Sequence, residues 1–218
     1  MRKPRQRYYD RFASFYDRFV AIHASDQQQA ARHFLAERTE TRRGEKILDI
    51  CTGTGSVLLH HHNRVGREGL VVGVDFSRGM LNAAKEKITD LSGLFLIQAD
   101  VAYLPIKDGI FDAVTCSHAF YELKGDTQDL CLLELDRVLD KGKPFLMMEH
   151  DVPKNVLIRM LFYVRLLSMG RKKAIEILKH EKEMLGRYFN RVEKVATPSG
   201  RSKVMICRNE DVEGVKIV

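Results

Sequence analysis

Short apolar runs alternate with amphipathic segments along the chain from residue 45 onward. Five runs are apolar at nearly every position: KILDI (46–50), LVVGVD (70–75), LFLIQ (94–98), FDAVTC (111–116) and PFLMME (144–149). Because hydrophobic and polar residues do not alternate within them, these runs are typical of parallel strands covered by helices on both faces. The pattern therefore predicts a parallel sheet at the centre of the molecule.

The segments between the runs have the spacing of amphipathic helices. One stripe follows Ser77, a residue type that caps helix N-termini, and another precedes the turn at 140–144. The stripe residues are Met80, Leu81, Ala84 and Ile88, then Leu130, Leu133 and Val138. Strands alternating with helices imply right-handed βαβ crossovers and a doubly wound sheet.

The two ends of the chain differ from this central pattern. Residues 8–38 predict one or two amphipathic helices, and residues 172–187 predict another helix. The segment 189–209 contains two strand-like runs around Pro198–Ser199–Gly200, which is a hairpin signal. The predicted fold is α/β: a doubly wound, Rossmann-like, seven-stranded, mostly parallel sheet with a C-terminal antiparallel hairpin. We expect one domain over 1–218, with a helical cap (1–44), a core (45–152), a helical segment (153–188), and a hairpin and tail (189–218).

Charge and composition narrow the function classes only slightly. The 218 residues carry a net charge of +7, which suits nucleic acid, an anionic membrane surface or an acidic substrate, or simply a solvated basic surface. The four cysteines form no CxxC pair, and the basic N-terminus has no apolar core typical of a signal peptide. The longest apolar stretch, 156–169, contains two arginines and is too short for a bilayer of ~30 Å. These features predict a cytoplasmic protein.

The most informative segment is ILDICTGTGSV (47–57), a strand followed by a glycine turn and the start of a helix. In an open α/β sheet, ligands bind beyond the carboxyl ends of the strands. Gly53 and Gly55 would let the backbone come close to such a ligand. The turn lacks the full GxGxxG spacing of dinucleotide enzymes, and Asp49 would repel a pyrophosphate but attract an amino-acid ammonium group.

Two further acidic residues follow strands in the same half of the chain. Asp75, at the end of the second run, could accept hydrogen bonds from both ribose hydroxyls of a nucleoside. That role would serve NAD and S-adenosylmethionine equally. Asp100, in QADVAYLPIKDGIFDAVTC (98–116), could accept from an adenine amino group, and this arrangement favours S-adenosylmethionine.

In order, these motifs resemble motifs I to III of class I S-adenosylmethionine-dependent methyltransferases, and they are most similar to the UbiE/COQ5 group. The resemblance covers about residues 8–152 and extends to the hairpin. It implies that 45–152 binds the cofactor and that an aromatic N-terminal segment caps the cofactor. The apolar helical pattern within 153–188 is interpreted as a substrate lid. The implied cofactor-binding residues are Tyr8, Tyr16, Asp49, Cys51, Thr52, Gly53, Thr54, Gly55, Asp75, Phe76, Asp100, Val101 and Ser117.

The acceptor side of the sequence leaves alternatives open. His118, just past the fourth run, is either a catalytic general base or part of the pocket wall. His150 and Asp151 either orient an acceptor or shape the rim. The run His60–His61–His62 resembles a metal-binding tract, but consecutive helical residues point in different directions. Residues 154–173 are a lid over an apolar substrate, a membrane contact or a core helix.

We therefore predict a methyltransferase that acts on a small-molecule or lipid-like acceptor, by quinone-like C- or O-methylation or by lipid amine N-methylation. Peripheral membrane contact would accompany a lipid-like acceptor, and the sequence does not predict the oligomeric state. A non-catalytic S-adenosylmethionine sensor is one alternative. An RNA methyltransferase is another, disfavoured because SHAF (117–120) replaces the tetrapeptide of exocyclic-amine nucleic-acid enzymes. The chain also lacks Trp and the N-terminal signature of the quinone enzymes, which leaves the acceptor open.

Overall fold

The computed structural model describes residues 26–88, 91–123, 125–152, 160 and 180–210. These ranges contain seven strands, four α-helices and a 3₁₀ turn at Phe120–Glu122. In chain order the elements are α1 Asp26–Arg38, β1 Lys46–Ile50, α2 Leu58–Val65, β2 Leu70–Asp75, α3 Arg78–Lys87, β3 Leu94–Gln98, β4 Ala113–Ser117, α4 Thr127–Val138, β5 Phe145–His150, β6 Arg191–Ala196 and β7 Ser202–Arg208. Residues 180–185 are also helical.

The seven strands form one sheet in the order β3-β2-β1-β4-β5-β7-β6. The first five strands in this order pair in parallel, whereas β7 is antiparallel to both β5 and β6. The chain runs from β1 outward to β3 and then returns to β4 beside β1, so the strand order reverses between β1 and β4. The predicted doubly wound, mostly parallel sheet with an antiparallel C-terminal hairpin is confirmed.

Helices cover both faces of the sheet. On one face, α1 and α2 pack against alternate strand residues such as Ile47, Val71 and Leu146. On the other face, the buried side of α4 packs against the intervening residues, among them Leu48 and Val114. Strands buried on both sides explain why the central runs are apolar at successive positions.

Local helix signals agree with the structure in one case and differ in another. Ser77 caps α3 by accepting a hydrogen bond from the backbone N–H of Met80 at 3.2 Å, and the predicted stripe after it is buried. The predicted stripe of α4 is only partly confirmed: Val138 is buried and Leu130 is half-buried, but Leu133 exposes 55% of its surface. Cys131, Leu132 and Leu135 face the core instead.

The third run also departs from the expectation of two covered faces. Strand β3 lies at the edge of the sheet, and Phe95 within it is 57% exposed.

At the other edge, the hairpin turns where predicted: the N–H of Gly200 donates to the carbonyl of Thr197 at 2.8 Å, and Gly200 has a positive φ of 65°. Among the described residues, no helix is long and apolar enough to cross a membrane.

Two predicted features lie outside the described residues. The aromatic segment with Tyr8 and Tyr16 is one, and the proposed lid 154–173, apart from Met160, is the other. Both stay predictions.

Candidate functional site

The carboxyl ends of β1 and β4 lie side by side at the point where the strand order reverses. Ile50 of β1 is in register with Cys116 of β4. Cys51 and His118 directly follow these strands. Both have a φ of 52°, in the left-handed region that non-glycine residues rarely adopt. Backbone strain at two adjacent strand ends is typical of a functional site, where the surrounding structure holds residues in uncommon conformations.

The glycine turn after β1 is held against the neighbouring strand. The N–H of Thr52 donates to the carbonyl of Val74 at 3.0 Å, and the N–H of Gly55 donates to the carbonyl of Thr52 at 3.0 Å. Gly53 and Gly55 have φ values of 55° and 72°. A Cβ on Gly55 would lie 3.0 Å from the Cβ of Ala84 in α3, whereas no atom lies within 4 Å of a Cβ built on Gly53. Gly55 thus allows close packing, and Gly53 presents its backbone to open space.

Asp75 ends β2 beside this turn, and it is buried. One carboxylate oxygen accepts the N–H of Gly53 at 2.9 Å, and the other accepts the N–H of Ser77 at 2.8 Å. These bonds orient the carboxylate and link the glycine turn to the start of α3. Each carboxylate oxygen can accept more than one hydrogen bond, so this group can also accept from ligand hydroxyls.

Asp49 lies beneath the turn in a buried polar network. Its two oxygens accept hydrogen bonds from the hydroxyls of Thr52 and Thr115, both at 2.6 Å. The Thr115 hydroxyl also lies 2.9 Å from Nε2 of His61. Since Thr115 donates to Asp49, it accepts from His61. Burial raises the pKa of Asp49 to about 6, against the effect of the two hydroxyls, and lowers the pKa of His61 to about 3.

The remaining predicted cofactor-binding residues flank the same strand ends. Thr54 is buried in the turn, and its hydroxyl accepts a hydrogen bond from Nζ of Lys87 at 3.0 Å. Phe76 and Asp100, both half-buried, follow β2 and β3. Val101 is buried in the core, and Ser117, half-buried, ends β4. The described residues of this set therefore surround the carboxyl ends of four adjacent parallel strands.

His118 lies at the rim of this region, and its side chain is 31% exposed. Its ring stacks at a tilt on His150, with the ring centroids 4.4 Å apart, and its Nδ1 lies 4.0 Å from the buried carboxylate of Glu149. Burial and the neighbouring His150 ring lower the pKa of His118 below its ordinary value. Neutral imidazole is the form that can accept a proton, so His118 has the protonation state of a base.

A second polar cluster, absent from the sequence predictions, lies behind His118 at the ends of β5 and β7. Lys203 is only 1% exposed and forms an ion pair with Glu181. The hydroxyl of Tyr121 donates to the other oxygen of the same carboxylate. Glu149 is opposite Lys203 in the β5–β7 register and is 4% exposed. Burial raises the pKa of Glu149 to about 8.

Two residues of this cluster carry a signal that could have been used. Glu149 is the last residue of the run PFLMME and Lys203 is the first of the run KVMIC, so each charged residue adjoins a buried apolar strand segment. Tyr121 and Glu181 are 60 positions apart, and no local pattern joins them.

The three consecutive histidines point apart, as expected: His60 contacts Gln29, His61 contacts Thr115 and His62 contacts the carbonyl of Ser92.

Comparison with known proteins identifies the family to which this arrangement belongs. Residues 3–182 match the model of the ubiE/COQ5 methyltransferase family. This chain belongs to the ubiE/COQ5 methyltransferase family. The predicted resemblance to this family is thereby confirmed.

The relatives of this ubiE/COQ5 member include quinone enzymes. It is 32% identical over 148 residues to a demethylmenaquinone methyltransferase of Staphylococcus saprophyticus, and 30% identical over 156 residues to that of Staphylococcus aureus. The matches cover 67% and 72% of this chain but only 62% and 64% of those relatives. A solved SAM-dependent methyltransferase from Aquifex aeolicus has the same fold, with a TM-score of 0.61 and 18% identity over 82% of this chain and 89% of its own.

Proposed function

We propose that this chain transfers the methyl group of S-adenosylmethionine to a ring carbon of a reduced, quinone-type acceptor. The observation that carries the proposal is the 32% identity to a demethylmenaquinone methyltransferase, within a family match over residues 3–182. The lipid-amine acceptor and the RNA acceptor have no comparable support. The geometry of the site is compatible with the cofactor and with a proton-accepting group next to it.

The residues present fit S-adenosylmethionine. Open space above Gly53 leaves its backbone accessible to a ligand, and the oriented carboxylate of Asp75 lies within reach of the same turn. Asp75 would hold the ribose hydroxyls, and Asp100, after the neighbouring strand, would approach the adenine. When bound, the cofactor supplies an electrophilic methyl group on a sulfonium.

The electronic demand of the reaction restricts the acceptor to its reduced form. An oxidised quinone ring is electron-poor and does not attack an electrophilic methyl group, whereas a hydroquinone ring is nucleophilic next to its hydroxyls. The protein has to hold the ring against the methyl group, exclude water and accept one proton. His118, neutral and at the rim of the strand ends, is the candidate general base that receives this proton.

Methyl transfer to a defined acceptor tests the proposal. The full chain is incubated with methyl-labelled S-adenosylmethionine and a short-chain demethylmenaquinol kept reduced, and the product is analysed by mass spectrometry. We expect one methyl group on the ring with the quinol and none with the oxidised quinone. The variant Asp75→Ala, compared at the same protein concentration, should show strongly reduced labelling.

Parallel reactions with phosphatidylethanolamine vesicles and with RNA separate the alternatives. Labelling of either one in place of the quinol would contradict the proposed acceptor. Cofactor binding with no labelling of any of the three would favour a regulatory S-adenosylmethionine-binding protein.

A further inference from the structure

The buried cluster behind His118 contains more negative than positive groups. Lys203 contributes one positive charge, and Glu181 and Glu149 contribute two carboxyl groups. Nζ of Lys203 is paired with Glu181, whose other oxygen accepts the Tyr121 hydroxyl. Because the ion pair is neutral as a unit, an ionised Glu149 would be the uncompensated charge of the cluster. A buried group in this position takes up a proton readily.

The contacts of Glu149 hold its carboxyl group close to His118. The N–H groups at the start of the 3₁₀ turn face it, with the N–H of Tyr121 3.5 Å from Oε1. Its other oxygen, Oε2, is the one that lies 4.0 Å from Nδ1 of His118. An approach of about 1 Å brings these two atoms to hydrogen-bond distance, and catalytic contacts often tighten in this way when substrate binds.

We propose that the carboxyl group of Glu149 stores the proton that methylation releases from the acceptor, and that His118 relays it. The inference rests on the proposed function above. The methylated ring carbon loses its hydrogen as a proton, and the electron pair of that C–H bond returns to the ring. The proton goes to Nε2 of His118, whose Nδ1 proton passes to the carboxylate of Glu149, so that the imidazole ends neutral as it began.

The relative basicities of the two groups favour this direction of transfer. The pKa of His118 is lowered, so its protonated form gives up a proton easily, whereas burial raises the pKa of Glu149 to about 8. A group with a pKa near the operating pH both accepts and releases a proton efficiently. His118 alone would be too weak a base to keep the proton after the transfer.

Several other ionisable groups surround Glu149 and contribute to its pKa. Lys203 lowers it and Glu122 raises it, with burial the largest cause of the rise. The ionisable side chains on the elements around it are Cys116 and His118 from β4 and its end, Tyr121 and Glu122 from the 3₁₀ turn, His150 and Asp151 after β5, Glu181 from the helix 180–185, and Lys203 from β7.

The test compares Glu149→Gln with the wild type across pH. Gln keeps the shape of the side chain and an acceptor for the 3₁₀ turn, but it cannot hold a proton. In the quinol assay, we expect the wild-type kcat to rise with pH toward a plateau above about pH 8, as Glu149 ionises. In Glu149→Gln, kcat should fall by about a hundredfold, with the KM for S-adenosylmethionine unchanged and that rise with pH absent.

Two controls distinguish proton storage from a structural role. Glu149→Asp should recover part of the activity together with a pH-dependent kcat, and Glu193→Gln, which removes an exposed carboxylate from β6, should leave both unchanged. Infrared spectroscopy of the protein without substrate should show a protonated carboxyl band that titrates near pH 8 and is missing from Glu149→Gln.

The outcomes separate this inference from the proposed function. If the wild type methylates the quinol and Glu149→Gln keeps the same kcat and pH profile, or if the infrared band does not depend on Glu149, the inference is wrong while the proposed function stands. If the wild type does not methylate the quinol at all, the proposed function fails and the inference fails with it.

Discussion

Alanine substitutions at the two glycines of the turn after β1 should have separable effects on folding and on cofactor binding. Gly53 and Gly55 are two positions apart and both have a positive φ. A methyl group added at Gly55 would meet Ala84 at 3.0 Å and Leu58 at 3.2 Å, whereas one added at Gly53 would meet no atom within 4 Å. The pair is therefore matched in backbone strain and differs in the space around the new atom.

The magnitudes follow from the shared backbone strain and from the difference in space. A left-handed conformation costs an L-residue about 1–2 kcal/mol, and reduced freedom of the unfolded chain returns about 0.4–1 kcal/mol of that cost. Gly53→Ala should thus lower the free energy of unfolding by about 1 kcal/mol. Gly55→Ala carries the same cost together with an overpacking cost of about 1–3 kcal/mol, for a total of about 2–4 kcal/mol.

Urea unfolding measures the free energy of unfolding, and calorimetric titration with S-adenosylmethionine measures the affinity for the cofactor. Gly53→Ala should remain well folded but bind the cofactor at least about tenfold more weakly, because the added methyl group occupies the space through which a ligand reaches the backbone. Equal losses of stability in both variants, or unchanged cofactor affinity in Gly53→Ala, would refute the assignment of separate roles to these glycines.

Three further predictions concern the network around the turn and the loop after β3. Asp75→Ala should weaken S-adenosylmethionine binding at least about tenfold by calorimetry, and equal binding would overturn the cofactor assignment. Burial lowers the pKa of His61 to about 3, so between about pH 6.5 and about pH 3 this imidazole binds a proton only in the unfolded chain. In that window, acid should reduce the stability of the wild type by up to about 1.4 kcal/mol per pH unit more than that of His61→Gln. Parallel stability curves for these two proteins between pH 6 and pH 4 would contradict it. Arg137→Ala should cost about 2 kcal/mol in urea unfolding, because its side chain, 31% exposed, binds the carbonyls of Leu104 and Ile106, and Arg137→Lys should recover only part of that loss.

The parts of the fold that could be predicted are those encoded in short segments. The central runs other than β3 are apolar on both faces because helices cover both sides of those strands, and Ser77 caps α3 through an interaction three residues long. The expectations that failed concern which side of a strand or helix is covered by the rest of the protein. Phe95 is exposed in the edge strand β3, and Leu133 is exposed because the core-facing side of α4 is centred on Cys131, Leu132 and Leu135.

The same distinction divides the candidate site into two halves. The proposed cofactor half is built from the glycine turn and from Asp75, which are held by contacts between neighbouring βα units, so a local motif was sufficient to predict it. The acceptor half joins a residue at the end of β5 to others from the 3₁₀ turn, the helix 180–185 and β7. Only the antiparallel return of β7 places Lys203 opposite Glu149. If Glu149 stores the acceptor's proton, substitutions in the C-terminal hairpin should therefore alter that step while the cofactor turn stays intact. On physical grounds, members of one family can share a cofactor motif and still differ in the acceptor that they methylate.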